Sequence, residues 1–183
     1  MKLGTYHDDH YVNLIASLSP STRNGYESSY HIHVGPKWAG WEMHEIRVAH
    51  INTWLATDFA GNPGGAEKAY KVLRQIIRAA IADECYPDDV VDPTTRSVRL
   101  PRKPWRGEPP HLLPKEVKAL LLGVQGWEYE PVVVCGIWMG LRRCEACGLQ
   151  WGDINLASGL VHIRRGLQYI KGQVVTPRPF RSG

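Results

Sequence analysis

A chain of 183 residues with 43% hydrophobic and 22% charged residues is an ordinary globular composition, with material for one domain or two small ones. No apolar run is long enough to span a bilayer, and MKLGTYHDDHY has no apolar segment behind Lys2, so neither a membrane span nor a signal peptide is expected and a cytoplasmic location follows. The net charge of +4 is uneven: residues 1–93 carry 8 basic and 12 acidic side chains (net −4), and residues 94–183 carry 14 and 6 (net +8).

The first helix signal in chain order is LSPSTRNGYESSYHIHV, where Ser19 can cap and Pro20 suits the first helical position. That helix is expected to run to about His33, with GPKWAGWEM breaking it. HEIRVAHINTWLATDF reads as a second helix, with Ile46, Val48, Ile51, Trp54 and Leu55 at helical spacing. AEKAYKVLRQIIRAAIADECY is the strongest helix, with an apolar stripe of Tyr70, Val72, Leu73, Ile76, Ile77, Ala80 and Ile81. Three helices with short loops make a small bundle over residues 1–92.

Residues 93–110 have prolines, charges and no sustained periodicity, and read as an extended linker. Within it TTRSVRLPRKPWRG is free of acids and carries Arg96, Arg99, Arg102, Lys103 and Arg106; a second acid-free basic run is the tail from Ile154 to Gly183. Clustered basic charge is the footprint of a polyanion partner, or equally a solvated surface. Residues 111–183 open with the helix PKEVKALLLGV, followed by YEPVVVCGIWM as a buried apolar helix, RRCEACGLQW as a short helix, and LVHIRRGLQYIKGQVV as a strand pair.

Two pairs compete within GLRRCEACGLQW. Cys144 and Cys147 supply two ligands of the four that a structural zinc needs, and they sit in a helical stretch rather than after a strand, so packing thiols are favoured over metal or redox chemistry. Arg142 and Glu145, three apart at a helix start, suit either a surface ion pair or a phosphate site, because the guanidinium fork matches phosphate oxygens.

Gly140, Leu141, Arg142, Glu145, Leu149, Trp151, Asp153 and Ile154 stand at the spacing Gly-Leu-Arg-x-x-Glu-x-x-x-Leu-x-Trp-x-Asp-Ile. This resembles the box around the first catalytic arginine of the tyrosine recombinases, the phage-integrase family. Upstream, the stretch holding Thr22, Tyr26, His33, Pro36 and Gly40 resembles the start of that family's helical core-binding domain, and the resemblance covers roughly Leu18 to Gly183. It implies a mainly α fold: a SAM-like helical core-binding domain (1–92), a basic linker (93–110) and the first part of an α+β catalytic domain with a small β-hairpin (111–183).

The implied chemistry is site-specific recombination, in which a tyrosine hydroxyl cuts one DNA strand and leaves a 3′-phosphotyrosyl bond. No cofactor is implied, since the bond energy stays in the covalent link. The developing charge lies on phosphate oxygens and needs cationic donors. Arg142 is implied as one of them, Glu145 as its support, and Arg181 as the nearest match to a hairpin Lys or Arg, with Arg178 as the alternative. Thr22, Arg23, Tyr26, Arg96, Arg99, Arg102, Lys103 and Arg106 are expected to contact DNA. The implied partners are double-stranded DNA and other recombinase protomers.

The family's His-x-x-Arg box and nucleophilic tyrosine lie well downstream of the hairpin. His162-x-x-Arg165 is set aside as that box because it falls on an expected strand, where positions three apart face opposite sides, and Tyr169 comes too early to be the nucleophile. The expectation is therefore a truncated, catalytically incomplete recombinase, or alternatively a non-catalytic DNA-binding remnant that occupies recombination sites.

Overall fold

The computed structural model describes residues 1–87, 90–95, 97–105 and 107–176. It is mainly helical, and the described residues include two small antiparallel strand pairs. The chain divides into two compact units, Met1–Trp105 and Arg106–Gly183, at a point inside the stretch expected as linker.

The first unit begins with a helix that the sequence reading did not anticipate. The segments Leu3–Tyr6, His7–Tyr11 and Val12–Ile15 run on as one helix, α1 (3–15), with π geometry in the middle. Its polar run His7-Asp8-Asp9-His10 hides the apolar pattern, yet Leu3, Tyr6, His7, Tyr11 and Ile15 are all buried. Gly4 lets the helix start approach the next helix closely. A Cβ there would meet Ala39 at 3.0 Å, and the Gly4 N–H donates to the Ala39 carbonyl at 3.0 Å.

Helix α2 (20–38) corrects the expectation of a break at Gly35-Pro36. It is capped by Ser19, whose Oγ accepts from the Thr22 N–H, and runs through Pro20–Ser29, a π segment Tyr30–Val34 and a last α turn Gly35–Trp38. Proline inside an α-helix lacks the N–H and crowds the carbonyl four residues back. The π turn relieves this by widening the ladder just before Pro36, with the Gly35 N–H donating to the Tyr30 carbonyl five residues back.

A 3-10 turn, Met43–Glu45, leads to helix α3 (Val48–Thr57), which begins later than HEIRVAH had suggested. Helix α4 (Pro63–Ala82) is capped by Asn62 and buries Ala66, Ala69, Val72, Leu73, Ile76, Ile77 and Ala80. Tyr70 is only half-buried and Ile81 is exposed, so the true stripe is rotated toward the small alanines. Trp38, Trp54 and Phe59 meet edge to face, with centroids 5.5 and 5.4 Å apart, at the centre of a continuous core. The stretch after α4 adheres to this unit: Pro93 and Thr94 are buried, Arg99 N–H donates to Asn52 Oδ1 at 2.8 Å, and Lys103 pairs with Glu67.

The second unit holds α5 (Pro114–Gly123), α6 (Glu130–Met139) and α7 (Arg143–Gly148), then a 3-10 turn Trp151–Asp153. Strand β1 (Ile154–Asn155) pairs with β2 (Leu160–Val161), and β3 (Gln168–Ile170) pairs with β4 (Gln173–Val175). Lys171 and Gly172 both take positive φ, 47° and 82°, which is the two-residue turn that fits the twist of a hairpin. The expectation that α6 is buried is overturned. No residue of α6 is fully buried, and Trp138 is 72% exposed. The helix is apolar all round, so its sequence signals burial although too little packs around it.

Candidate functional site

Helix α6 ends at Gly140 in the left-handed conformation (φ +65°), which turns the chain so that Arg142 enters α7 in an extended conformation. Glu145, at the third helical position, reaches back with both oxygens. Oε2 accepts the Arg142 backbone N–H at 2.9 Å and Oε1 accepts Nη1 of the guanidinium at 3.0 Å. The Arg142 N–H, then its guanidinium, hold the Glu145 carboxyl below the usual carboxylate range against some desolvation. Glu145 is well covered while the Arg142 side chain is 81% exposed. The geometry is that of a braced cation facing outward, with unused donors in a fixed fork.

Further along the chain is a second ionic arrangement. Asp153 is 2% exposed. Its Oδ2 accepts from Arg165 Nη1 at 2.7 Å and from the Gln150 N–H at 3.0 Å, its Oδ1 accepts from Arg165 Nη2 at 3.2 Å, and Arg164 Nε lies 3.6 Å from Oδ1. Burial pushes this carboxyl up, but the Gln150 N–H, the Arg165 bonds and the two guanidinium charges outweigh it and hold the carboxyl below its ordinary value. His162 and Arg165 are not on a strand, contrary to the sequence expectation: β2 ends at Val161. Arg165 is turned inward onto Asp153, and the His162 N–H donates to the Asp153 carbonyl at 2.9 Å.

The first unit gathers another set. Thr22 and Tyr26 line a groove of about 700 Å³ together with Asn62, Lys68 and Lys71. Lys71 Nζ stands 5.3 Å from the Tyr26 ring centroid. Gln75 Nε2 donates to Tyr26 Oη at 3.3 Å while its Oε1 accepts from Tyr11 Oη at 3.0 Å. The Gln75 bond, and after it Lys71, hold the Tyr26 phenol below its ordinary value. Arg23 instead faces Glu27 at 3.8 Å. Lys68, Lys71 and Gln75 are the members that sequence reasoning missed. Their spacing of three and four along α4 was the available signal.

Of the other candidates, Arg99 engages through its backbone, Lys103 is paired with Glu67, and Arg102 is exposed. Arg96, Arg106, Arg178 and Arg181 lie outside the described residues. Cys144 packs against Gly166, and Cys147 on the same short helix is exposed.

No family model matches the chain. Two curated proteins carrying the name prophage phiRv2 integrase, from two strains of Mycobacterium tuberculosis, are each 24% identical to it over 163 residues, which is 88% of this chain and 42% of theirs. The Tn1549 transposon integrase in complex with a circular intermediate DNA superposes with a TM-score of 0.76 at 16% identity, over 98% of this chain and 58% of that one. A lambda integrase tetramer bound to a Holliday junction gives a TM-score of 0.64 at 16% identity, over 100% of this chain and 52% of that one. The chain thus spans under two thirds of the length of each of these relatives. Over the residues it covers, the chain has the fold of the Tn1549 and lambda integrases.

Proposed function

We propose that the chain belongs to a site-specific DNA recombinase of the tyrosine type, acting in the cytoplasm on double-stranded DNA together with further protomers. Residues 1–92 serve as a SAM-like core-binding domain, 93–110 as a basic linker along the backbone, and 111–183 as the part of the catalytic domain that presents the first arginine. The observation that carries this reading is the exposed Arg142, whose guanidinium and backbone N–H each donate one hydrogen bond to Glu145. In strand cleavage such a group stabilises charge developing on the non-bridging phosphate oxygens, and bracing removes the cost of ordering it at that moment. The Lys71–Tyr26 pair and the groove beside it supply a cationic and aromatic surface suited to backbone contact.

The exposed Arg142 and the Lys71–Tyr26 surface are each suited to backbone contact without a nucleophile. This supports a second reading: the chain occupies DNA without cutting it. The test is duplex binding as a function of salt, alongside nicked suicide substrates that trap a covalent complex. About five neutralised phosphates give a slope of log K against log salt of about −4 to −5. Replacing Arg99, Arg102 and Lys103 by Ala is expected to flatten it by up to about three units. No covalent band is expected. A slope near zero sinks the DNA-binding reading, and a band abolished by mutating a tyrosine of this chain sinks the non-cutting one.

A further inference from the structure

Helix α7 carries Arg142 at its start and has only six residues, too few to hold its own direction. Three tethers fix it to the segment 162–167. Arg165 Nη1 reaches the Gly148 carbonyl at the helix end, at 3.4 Å, while the same guanidinium grips Asp153 with both nitrogens. The Leu167 N–H donates to the Cys144 carbonyl at 2.8 Å near the helix start. Gly148 is in such close contact that an added Cβ would fall 2.8 Å from the Arg165 carbonyl oxygen.

We propose that Arg165 and Asp153 are positioning residues: their bidentate pair aims Arg142 at a DNA phosphate without either residue touching that phosphate. The inference rests on the reading of Arg142 given above. Two parallel N–H···O bonds to a carboxylate are directional, and the Arg165 side chain is only 22% exposed, with both terminal nitrogens engaged. A buried ion pair adds little net stability compared with apolar packing of the same volume, so its use here fits geometric specification. A displacement of about 1 Å at a catalytic group costs about a hundredfold, so the direction of a six-residue helix is worth fixing.

The test is a double-mutant cycle on duplex binding by the 183-residue chain, read as affinity and as salt slope. Arg142→Ala is expected to weaken binding by about tenfold and flatten the slope by about 0.9, the share of one phosphate. Arg165→Met is expected to do the same, and the double variant to do no more. If the double variant flattens the slope by about 1.8, Arg165 contacts its own phosphate and the proposal is overturned. It is also overturned if Arg165→Met binds like the parent while Arg142→Ala does not. If Arg142→Ala itself changes nothing, the reading of Arg142 has failed and the clamp falls with it, a different pattern from either of the others. Slow exchange of the Leu167 amide reports whether α7 remains docked. Should Arg165→Met lose that protection, Arg165→Lys keeps the charge but cannot span both Asp153 oxygens and the Gly148 carbonyl. It is expected to keep Leu167 protected and still lose most of the Arg142 contribution, and parental binding by this variant overturns the proposal.

Discussion

His7 is the residue of the first unit with the least usual surroundings. It is 2% exposed, its ring stacks on Tyr30 at 3.3 Å between centroids, and its Nε2 is enclosed without a partner. Its Nδ1 meets Asp8 Oδ1 at 2.7 Å, the His31 ring stands edge-on, Tyr11 is tilted against it, and Glu27 acts from α2. Burial pushes the imidazole below its ordinary value, and Asp8 only partly opposes this. The folded state therefore favours neutral His7. The unfolded chain takes up a proton first as pH falls, so stability is full above the ordinary histidine value and declines below it. Urea midpoints of the first unit are expected to fall between pH 7.5 and pH 5, and His7→Phe should flatten that fall; an equal fall in the variant would show that other groups cause it. At this scale the sequence was most legible where partners are close in the chain. Arg142 and Glu145 are three apart and could be paired on spacing. Tyr26 and Lys71 are 45 positions apart, and only the packing of α2 on α4 joins them. Arg164 and Arg165 read as a basic tail because nothing local showed that Asp153 would be buried beside them.

At the scale of elements, caps decide where the helices start. Asn62 Oδ1 accepts the Gly65 N–H at 3.0 Å, and Pro63 fills the first position of α4. Asn62→Ala is expected to destabilise the first unit by about 1 kcal/mol, and Asn62→Asp to be tolerated because a negative charge suits a helix N-terminus. Denaturant midpoints of the two variants check this, and equal losses would mean that the amide of Asn62 matters for something other than capping. Helix α4 was readable because twenty residues repeat an amphipathic period, and that signal survives a few mismatches such as Ile81. Helix α1 was not readable. Five of its thirteen positions are buried, but they include Tyr6, His7 and Tyr11, residue types that do not announce a core. The end of α2 was misjudged because a proline rule that holds for α geometry is relaxed by a π turn, which the sequence does not reveal. Helix α6 was misjudged in the opposite way: apolar composition reports a capacity to be buried, and burial itself depends on neighbours.

At the scale of the whole molecule, the two units differ in how well they are closed. The first has a continuous core from Leu3 to Tyr86 that encloses Trp38 and Trp54 almost completely. Among the described residues of the second unit, Val124 is the large hydrophobic side chain that reaches burial, while Trp127, Trp138 and Trp151 are 65%, 72% and 85% exposed. Once the 88% exposed Trp105 at the end of the first unit is replaced by Phe, the remaining tryptophans report on the units separately by emission wavelength: Trp38, Trp41 and Trp54 on the first, Trp127, Trp138 and Trp151 on the second. A unit with little enclosed apolar surface gains little from the hydrophobic effect and has little cooperativity to lose. Denaturation is expected in two phases. A shallow early loss should come from the second unit, with emission already red-shifted in native buffer. A steep later transition should follow as Trp38 and Trp54 reach water. Hydrogen exchange should show strong protection over 66–80 and weak protection over 160–175, and proteolysis should remove the second unit first. The exposed aromatic surface should also bind a hydrophobic dye in native conditions, and the signal should fall if DNA or another protomer covers it. A single steep transition with equal protection in both regions would show that the second unit closes its core by itself. Its exposed tryptophans would then need a different explanation from an open apolar face.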